Sequence, residues 1–415
     1  MSPTRRVAIL VGAVALTAIV VPIGVAAVLL VVCLAATVLD ALAVRRAPQI
    51  ERSVPRVLSR GVPAPLMLEL AGRPPGRATL RQPALPDVAV EPAEAEARLD
   101  ALVVGRRRGR HVLPAAALRL DGPLGLGCWF HRGAGAAEVL VYPDLVTAFR
   151  LAVAVRRGRF RDPGHLPRGP LGLGTEFESI RDYLPDDDVR QVNWRATARL
   201  GRPMSNQYRL ERERDVVCVV DCGRLMGAPL AGRTRLDAAL DAATAVAAVT
   251  EEVGDRCGAI AFDHELRRRV PPARKNAKTV VRALFDLEPS PVESDYGLAF
   301  RSVGEAKRAF VLVLTDLLEE SAARPLVEAV PILARRHAVV VASAADVDLA
   351  ETLATEPRTP RDVYAASVAL DVLAARRRVT RQLRHAGADV VEAAPDRLAA
   401  ACVGAYLRAK ALARL

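Results

Sequence analysis

The chain has 415 residues, 51% of them hydrophobic, and a net charge of +12 from 59 Lys plus Arg against 47 Asp plus Glu. That length holds two or three domains with a sizeable core. Only four of the cations are lysines, Lys275, Lys278, Lys307 and Lys410; such Arg dominance, together with abundant Ala, fits the codon usage of a GC-rich genome and needs no phosphate-binding role. A nucleic-acid binder concentrates its charge on a reading helix or groove with a recognisable motif. None occurs here, so no nucleic-acid partner is expected, and the basic bias after residue 45 reads as a membrane-proximal surface facing anionic lipid. The six cysteines (Cys33, Cys128, Cys218, Cys222, Cys257, Cys402) form no CxxC pair and have no metal-ligand spacing, so they read as buried, reduced thiols.

Residues 7–39 carry no charge, with Arg5-Arg6 before them and Arg45-Arg46 shortly after. One helix as far as Val44 would run about 57 Å, almost twice a bilayer core of about 30 Å. Pro22 and Gly24 interrupt the run near its middle, so the expectation for 1–46 is a transmembrane hairpin of two helices, each about 15–20 residues long. Arg pairs at both outer ends place both termini, and hence the soluble domains, in the cytoplasm as a multi-pass cell-membrane protein. The rival reading is a cleaved signal peptide ending near Ala41-Leu-Ala43; its apolar region would far exceed the usual length of about 7–15 residues.

Residues 47–150 are broken by Pro and Gly every few positions, and short alternating stretches such as Leu66–Leu70 and Glu138–Tyr142 lie between the breaks. The pattern predicts a small antiparallel β-domain, sandwich-like. Its Arg106–Arg110 cluster reads either as a lipid or partner contact or as a strand edge guarded by charge. A Pro/Gly/Arg linker starts at 151, and residues 151–214 comprise this linker and the segment described next.

Gly174–Arg199 is too polar for a core element and too rich in Arg and aromatics for a solvated linker. Arg181, Arg190, Arg195 and Arg199 alternate with Glu176, Asp187 and Asp188, a composition suited to a bidentate ionic lattice that Phe177, Tyr183 and Trp194 would anchor. Such a lattice is either a clasp between domains or a docking face, since Trp, Tyr and Arg are also the residues enriched at interface hot spots.

From 215 to 415 strand and helix alternate. Strands are expected at Asp215–Val220, Cys257–Phe262, Phe310–Leu314, Ala338–Ala342 and Asp389–Glu392, with helices at Arg233–Glu252, Lys275–Leu287, Ala322–Arg336, Arg361–His385 and Asp396–Leu412. This predicts a doubly wound α/β domain with a parallel sheet, whose ligand crevice lies at the carboxyl ends of the strands. Asp221 and Asp316 both stand at such ends.

The Gly174–Arg199 run resembles, nearly residue for residue, the signature of the bacterial family catalogued as domain of unknown function fifty-eight. It departs from that pattern at Asp186, where Gly is usual, and at Asn193, where Asp is usual. Arg106–Pro114 followed by Asp121–Leu126 resembles a second motif of the family, with His111 in place of an aromatic. The C-terminal domain resembles a von Willebrand factor type A domain, which holds a divalent cation through an Asp-x-Ser-x-Ser loop, a distal Thr and a distal Asp. Asp221 and Asp316 match the two acids; Gly223 and Leu225 replace both serines, and Ser294 and Asp295 occupy roughly the loop of the distal Thr. Two carboxylates plus water would hold Mg²⁺ weakly; the alternative is that Asp221 caps its loop and Asp316 caps the following helix.

Members of that family occur beside MoxR-type AAA+ ATPases. The resemblance therefore implies an adaptor that holds such an ATPase, or its client protein, at the membrane. The six His are scattered without a nucleophile–base spacing, and no phosphate-binding loop occurs, so no enzyme is expected. The expected partner surface or clasp is Glu176, Phe177, Arg181, Tyr183, Asp187, Asp188, Arg190, Trp194 and Arg199. A divalent-metal-dependent binding module is the alternative.

Overall fold

The computed structural model describes residues 2–19, 21–161, 176–184, 192–209, 214–304, 308–317 and 320–411. They fall into two units, Met1–Tyr142 and Pro143–Leu415.

The first unit opens with a two-residue strand β1 (Ser2–Pro3), then helices α1 (Arg5–Thr17) and α2 (Ile23–Ala43). The break falls where Pro22 precedes the first residue of α2, as the fixed φ of proline favours; Gly24, expected to share in the break, lies inside the first turn of α2. At 1.5 Å per residue α2 is about 32 Å long and α1 about 20 Å, so α1 is shorter than the expected 15–20 residues. α2 is long and apolar enough to cross a membrane. Much of its apolar surface is bare, including Val28, Val31, Val32 and Leu39.

Both ends of this helical pair are tied to one loop. Thr4 donates its hydroxyl to the Gly125 carbonyl at 2.6 Å and its amide to that of Leu126 at 2.9 Å. At the far end the buried Asp40 carboxylate accepts the amides of Leu124, Leu126 and Gly127 at 2.8–2.9 Å. The approach is close enough to require glycine: a Cβ on Gly122 would lie 2.3 Å from Asp40 Cγ, and one on Gly127 2.5 Å from the Thr37 carbonyl. This is the structural content of the Asp121–Leu126 motif. The chain leaves the β-domain at Thr4 and rejoins it at Asp40.

The β-domain comprises β2 (Ile50–Ser53), β3 (Val57–Ser59), β4 (Ala64–Leu70), β5 (Ala78–Arg81), β6 (Val88–Glu91), β7 (Glu94–Glu96), β8 (Arg98–Gly105), β9 (Gly109–Leu113), β10 (Ala116–Asp121), β11 (Gly127–Gly133) and β12 (Ala137–Tyr142). They form sheets of order β1-β11-β10-β5-β7, β2-β4-β8-β6 and β3-β12-β9. All pairings are antiparallel except β3 with β12. Period-two alternation fills the core: Leu99, Ala101 and Val103 of β8 point inward beside Leu66, Leu80, Leu118 and Val139. β9 is an edge strand; Arg106 and Arg107 in the turn before it and Arg110 on it are exposed, while Arg108 is buried.

The second unit begins with α3 (Leu145–Arg156), where the sequence pattern predicts a linker from 151. The Asp144 carboxylate caps it by accepting the Thr147 amide, and the Asp144 amide donates to Asp241 at 2.9 Å. Then come β13 (Glu176–Asp182), α4 (Trp194–Leu200) and β14 (Met204–Arg209), followed by β15 (Asp215–Asp221) and a small ribbon of β16 (Pro229–Leu230) and β17 (Arg233–Thr234). After these run α5 (Arg235–Val253), β18 (Arg256–Phe262), β19 (Leu266–Ala273), α6 (Ala277–Leu284), α7 (Tyr296–Val303), β20 (Ala309–Leu314), α8 (Glu320–Ala334), β21 (Ala338–Ala344), α9 (Val347–Ala354), α10 (Pro360–His385), β22 (Asp389–Ala393) and α11 (Leu398–Ala411).

Six strands make the central sheet in the order β19-β18-β15-β20-β21-β22. Five are parallel, and the edge strand β19 runs antiparallel to β18. β19 (Leu-Arg-Arg-Arg-Val-Pro-Pro-Ala) has no strand-like signal in the sequence, because an edge tolerates the charge and proline that a central strand rejects. Every residue of β15 is buried. Its Val216, Cys218 and Val220 face one helical layer that includes α3, α5, α6 and α11, and Val217 and Val219 face the layer of α7, α8 and α10. The Ala-rich α5 begins at a capping box of Thr234 and Asp237 and is buried over most of its length, since small side chains let α3 and α11 approach it closely.

Candidate functional site

Strand order reverses between β15 and β20, and in open α/β sheets ligands lie outside the carboxyl ends at such a point. Asp221 closes β15 there, and Thr315 and Asp316 follow β20 directly. All three are buried. The structure thus brings the two sequence-predicted acids to one end of the sheet and surrounds each with a different set of partners.

The Asp221 carboxylate is saturated by hydroxyls. Its Oδ1 accepts the Gly223 amide at 2.8 Å and Ser294 Oγ at 2.5 Å; its Oδ2 accepts Tyr296 Oη at 2.9 Å and Thr315 Oγ1 at 2.6 Å. Burial, and next the negative charge of Asp221, push the Tyr296 phenol well above its ordinary pKa, so it stays a donor. Gly223 has a packing reason of its own, because a Cβ there would lie 2.1 Å from Ser294 Oγ.

Asp316 is held by internal cations. Its Oδ1 accepts Arg235 Nη1 at 3.0 Å, Arg376 Nη2 at 2.9 Å and Ser343 Oγ at 3.3 Å. Arg235 also reaches Asp346 at 2.8 Å, and both guanidiniums donate to the Ala344 carbonyl. Asp316 Oδ2, Arg235 Nε and Arg376 Nε have no partner among the described residues. A hard cation takes about six oxygen ligands; one unsaturated carboxylate oxygen beside two guanidiniums is poorly suited to holding it. The alternative reading of Asp221 as a loop cap matches the Gly223 contact. Asp316 instead spends its charge on two arginines.

Tyr296, Arg235, Ser343, Asp346 and Arg376 are absent from the sequence-based site because each arrives from a separate element. The one local signal was the pair Ser294 and Asp295, of which Ser294 reaches Asp221 while Asp295 caps α7 through the Leu298 amide. Two carboxylates and a histidine, Asp263, His264 and Glu265, follow β18, with Asp263 paired to Arg267 at 2.9 Å.

The described parts of the signature segment hold β13 and α4, and β13 pairs antiparallel with β14, which follows the segment. Asn193, one of the two departures from the family's pattern, has a defined local role. Its Oδ1 caps α4 by accepting the Ala196 amide at 2.9 Å, and its Nδ2 donates to Asn206 Oδ1 at 2.8 Å. Thr197 Oγ1 accepts the Met204 amide at 3.0 Å, and Gly201 ends the helix with φ +66°, a left-handed cap that favours glycine.

Of the expected lattice, Arg181 donates to the Asp182 carbonyl at 3.0 Å; Arg202 and Asp182, which lie outside that set, pair at 3.3 Å. Tyr183 is half-buried. Trp194 is 70% exposed, and Arg195 and Arg199 are exposed beside it on α4, which has no buried residue. Glu176 and Phe177 lie on β13; Asp187, Asp188 and Arg190 lie outside the described residues.

Residues 179–386, just over half of the chain, match the family described as "Protein of unknown function DUF58". Two curated relatives, the uncharacterized proteins Rv1480 of Mycobacterium tuberculosis and Mb1516 of Mycobacterium bovis, are each 30% identical over 199 residues. The match covers 46% of this chain and 57% of each relative, so the chain spans little more than half the length of these proteins. Among solved structures, an uncharacterized membrane spanning protein from Vibrio fischeri is 16% identical over 48% of this chain and 99% of that one, with a TM-score of 0.16, too low to carry a shared fold. The chain belongs to the DUF58 family of proteins of unknown function.

Proposed function

We propose that this chain is a non-catalytic, membrane-anchored adaptor. Its helical pair 5–43 is the anchor, its C-terminal unit is a von Willebrand factor type A-like domain, and its signature segment is the face that docks a MoxR-type AAA+ ATPase. The ATPase would supply the energy for acting on a client protein, and this chain would supply the surfaces. The observation that carries the reading is Trp194: a large apolar ring left 70% exposed at the start of a helix that also bears the exposed Arg195 and Arg199 and is held in place by Asn193 and Thr197. Soluble domains rarely leave Trp bare without use, and Trp and Arg dominate interface hot spots. At the strand ends, where a type A domain would bind its ligand through a cation, Asp221 and Asp316 are engaged by neighbouring side chains, which shifts the docking role to the signature. The bare apolar length of α2 needs an apolar solvent, which a bilayer supplies.

The test is capture of a MoxR-type ATPase by the detergent-solubilised full chain, compared with Trp194→Ala and Arg190→Ala. A hot-spot Trp is expected to cost about 2 kcal/mol or more, roughly a thirtyfold loss of affinity, while the melting temperature holds. No capture, or capture indifferent to both changes, overturns the adaptor reading.

A further inference from the structure

A groove of about 980 Å³ lies in the first unit against the foot of α1. One wall is the outward face of the sheet β1-β11-β10-β5-β7, and the other is Thr4, Arg5 and Arg6 at the start of the helix. Strand register explains why this face is basic. Leu118 and Leu120 of β10 point into the core, so Ala117, Arg119 and Asp121 point out. Arg119 is paired across the strands with Phe130 on β11 and Thr79 on β5, and Ala117 is opposite Arg81.

Five guanidiniums line the groove (Arg5, Arg6, Arg77, Arg81, Arg119) against three carboxylates (Glu94, Glu96, Asp121). Arg77 pairs with Glu96 and Arg119 with Asp121. Glu94 is in register with Arg81. Among the described residues neither Arg5 nor Arg6 forms an ion pair, which leaves positive charge at the helix foot. The groove floor is the same loop that ties both helices, since Gly122, Pro123 and Gly125 line it. Phe130 on the groove wall is 60% exposed, a large apolar group beside the cations, and Leu124 in the same loop, between the lining residues Pro123 and Gly125, is 63% exposed.

We infer that this groove binds the headgroup of an anionic phospholipid, with the phosphate seated between Arg5, Arg6 and Arg81 and the first acyl carbons against Phe130 and Leu124. The inference rests on the membrane reading of the helical pair and adds a ligand to it. If α1 and α2 enter a bilayer, the groove sits at the depth of the lipid phosphates, because the loop that forms its floor holds both helix ends. Guanidiniums bind phosphate oxygens bidentately, and exposed apolar groups next to them suit the boundary between headgroup and acyl chain. Two positive charges without acidic partners among the described residues favour a lipid with net negative charge over a zwitterionic one.

The experiment uses the full chain in nanodiscs of phosphatidylcholine, titrated with phosphatidylglycerol and read by native mass spectrometry for lipid retained after delipidation. Preferential retention of phosphatidylglycerol is expected, reduced roughly fivefold for each guanidinium lost in Arg6→Gln and Arg81→Gln, with Arg73→Gln, an exposed arginine outside the groove, unchanged. Equal retention of the two lipids, or an equal fall with Arg73→Gln, overturns the site. Displacement by millimolar glycerol phosphate as readily as by lipid would identify a soluble phosphate ligand instead and overturn the lipid assignment. Fractionation separates the two levels of the claim. A chain that partitions with soluble protein sinks the membrane anchor and this inference together, whereas a chain firmly in the membrane with no lipid preference sinks this inference alone.

Discussion

Arg235, in the first turn of α5, donates to Asp316 at the end of β20 across 3.0 Å, with both side chains buried. A fixed organic cation thus stands beside the carboxylate that the sequence offers as a metal ligand. Breaking a buried ion pair leaves its partner charged and unsolvated, so Arg235→Met is expected to destabilise the second unit by about 3 kcal/mol, the low end of the range because Arg376 remains on Asp316. Thermal unfolding of the full chain in detergent measures it.

The same contacts bear on metal binding. With Asp221 engaged by Ser294, Tyr296 and Thr315, millimolar Mg²⁺ is expected to leave the melting temperature unchanged. A rise that Asp221→Ala abolishes would instead place a cation at this pair of acids.

A second buried pair joins the last helix to the turn between α5 and β18. Lys410 Nζ lies 2.5–2.6 Å from both oxygens of Asp255, and Tyr406 Oη donates to the same carboxylate at 2.5 Å. Lys410→Met alone is expected to cost about 3–5 kcal/mol, and adding Asp255→Asn should recover part of that loss by removing the stranded charge. Equal destabilisation by the single and double variants would argue against the ion pair as the cause.

Asp40 accepts three loop amides at the foot of α2. Asp40→Ala leaves them without that acceptor, at about 1–3 kcal/mol for each one left buried. The expected readout is faster proteolysis in the 122–127 loop of the full chain in detergent, with Asp40→Asn intermediate because it keeps one acceptor oxygen.

His337 is buried and accepts the Ala309 amide on Nδ1 at 3.2 Å. Burial, and secondly the charge of Arg336, lower its pKa from 6.5. The unfolded chain therefore binds a proton that the folded one refuses. The stability this contributes is fully present above the unfolded value and is lost as pH falls below it toward the folded value. Melting temperature should fall from about pH 7 to pH 5, and His337→Gln should flatten that slope; an unchanged slope would remove His337 as its source.

The sequence by itself reaches most of the secondary structure of the second unit, because buried parallel strands are continuous apolar runs and their helices are long. β15, α5, β18, β20, β21 and α10 each lie within a few residues of the positions their patterns predict. It also determines the family, since the signature is a contiguous run of unusual composition. It misses α3, β19 and α7, which are short or rich in Arg and Pro and take their conformation from what they pack against. The partners of the two strand-end acids were decided by tertiary structure alone. Asp221 meets residues 73, 75 and 94 positions away, and Asp316 meets Arg235 and Arg376 from either side of it in the chain. Nothing local in a sequence marks which hydroxyl or guanidinium will satisfy a buried carboxylate. That is settled only when the sheet brings the carboxyl ends of its strands together and each buried charge must find a partner there.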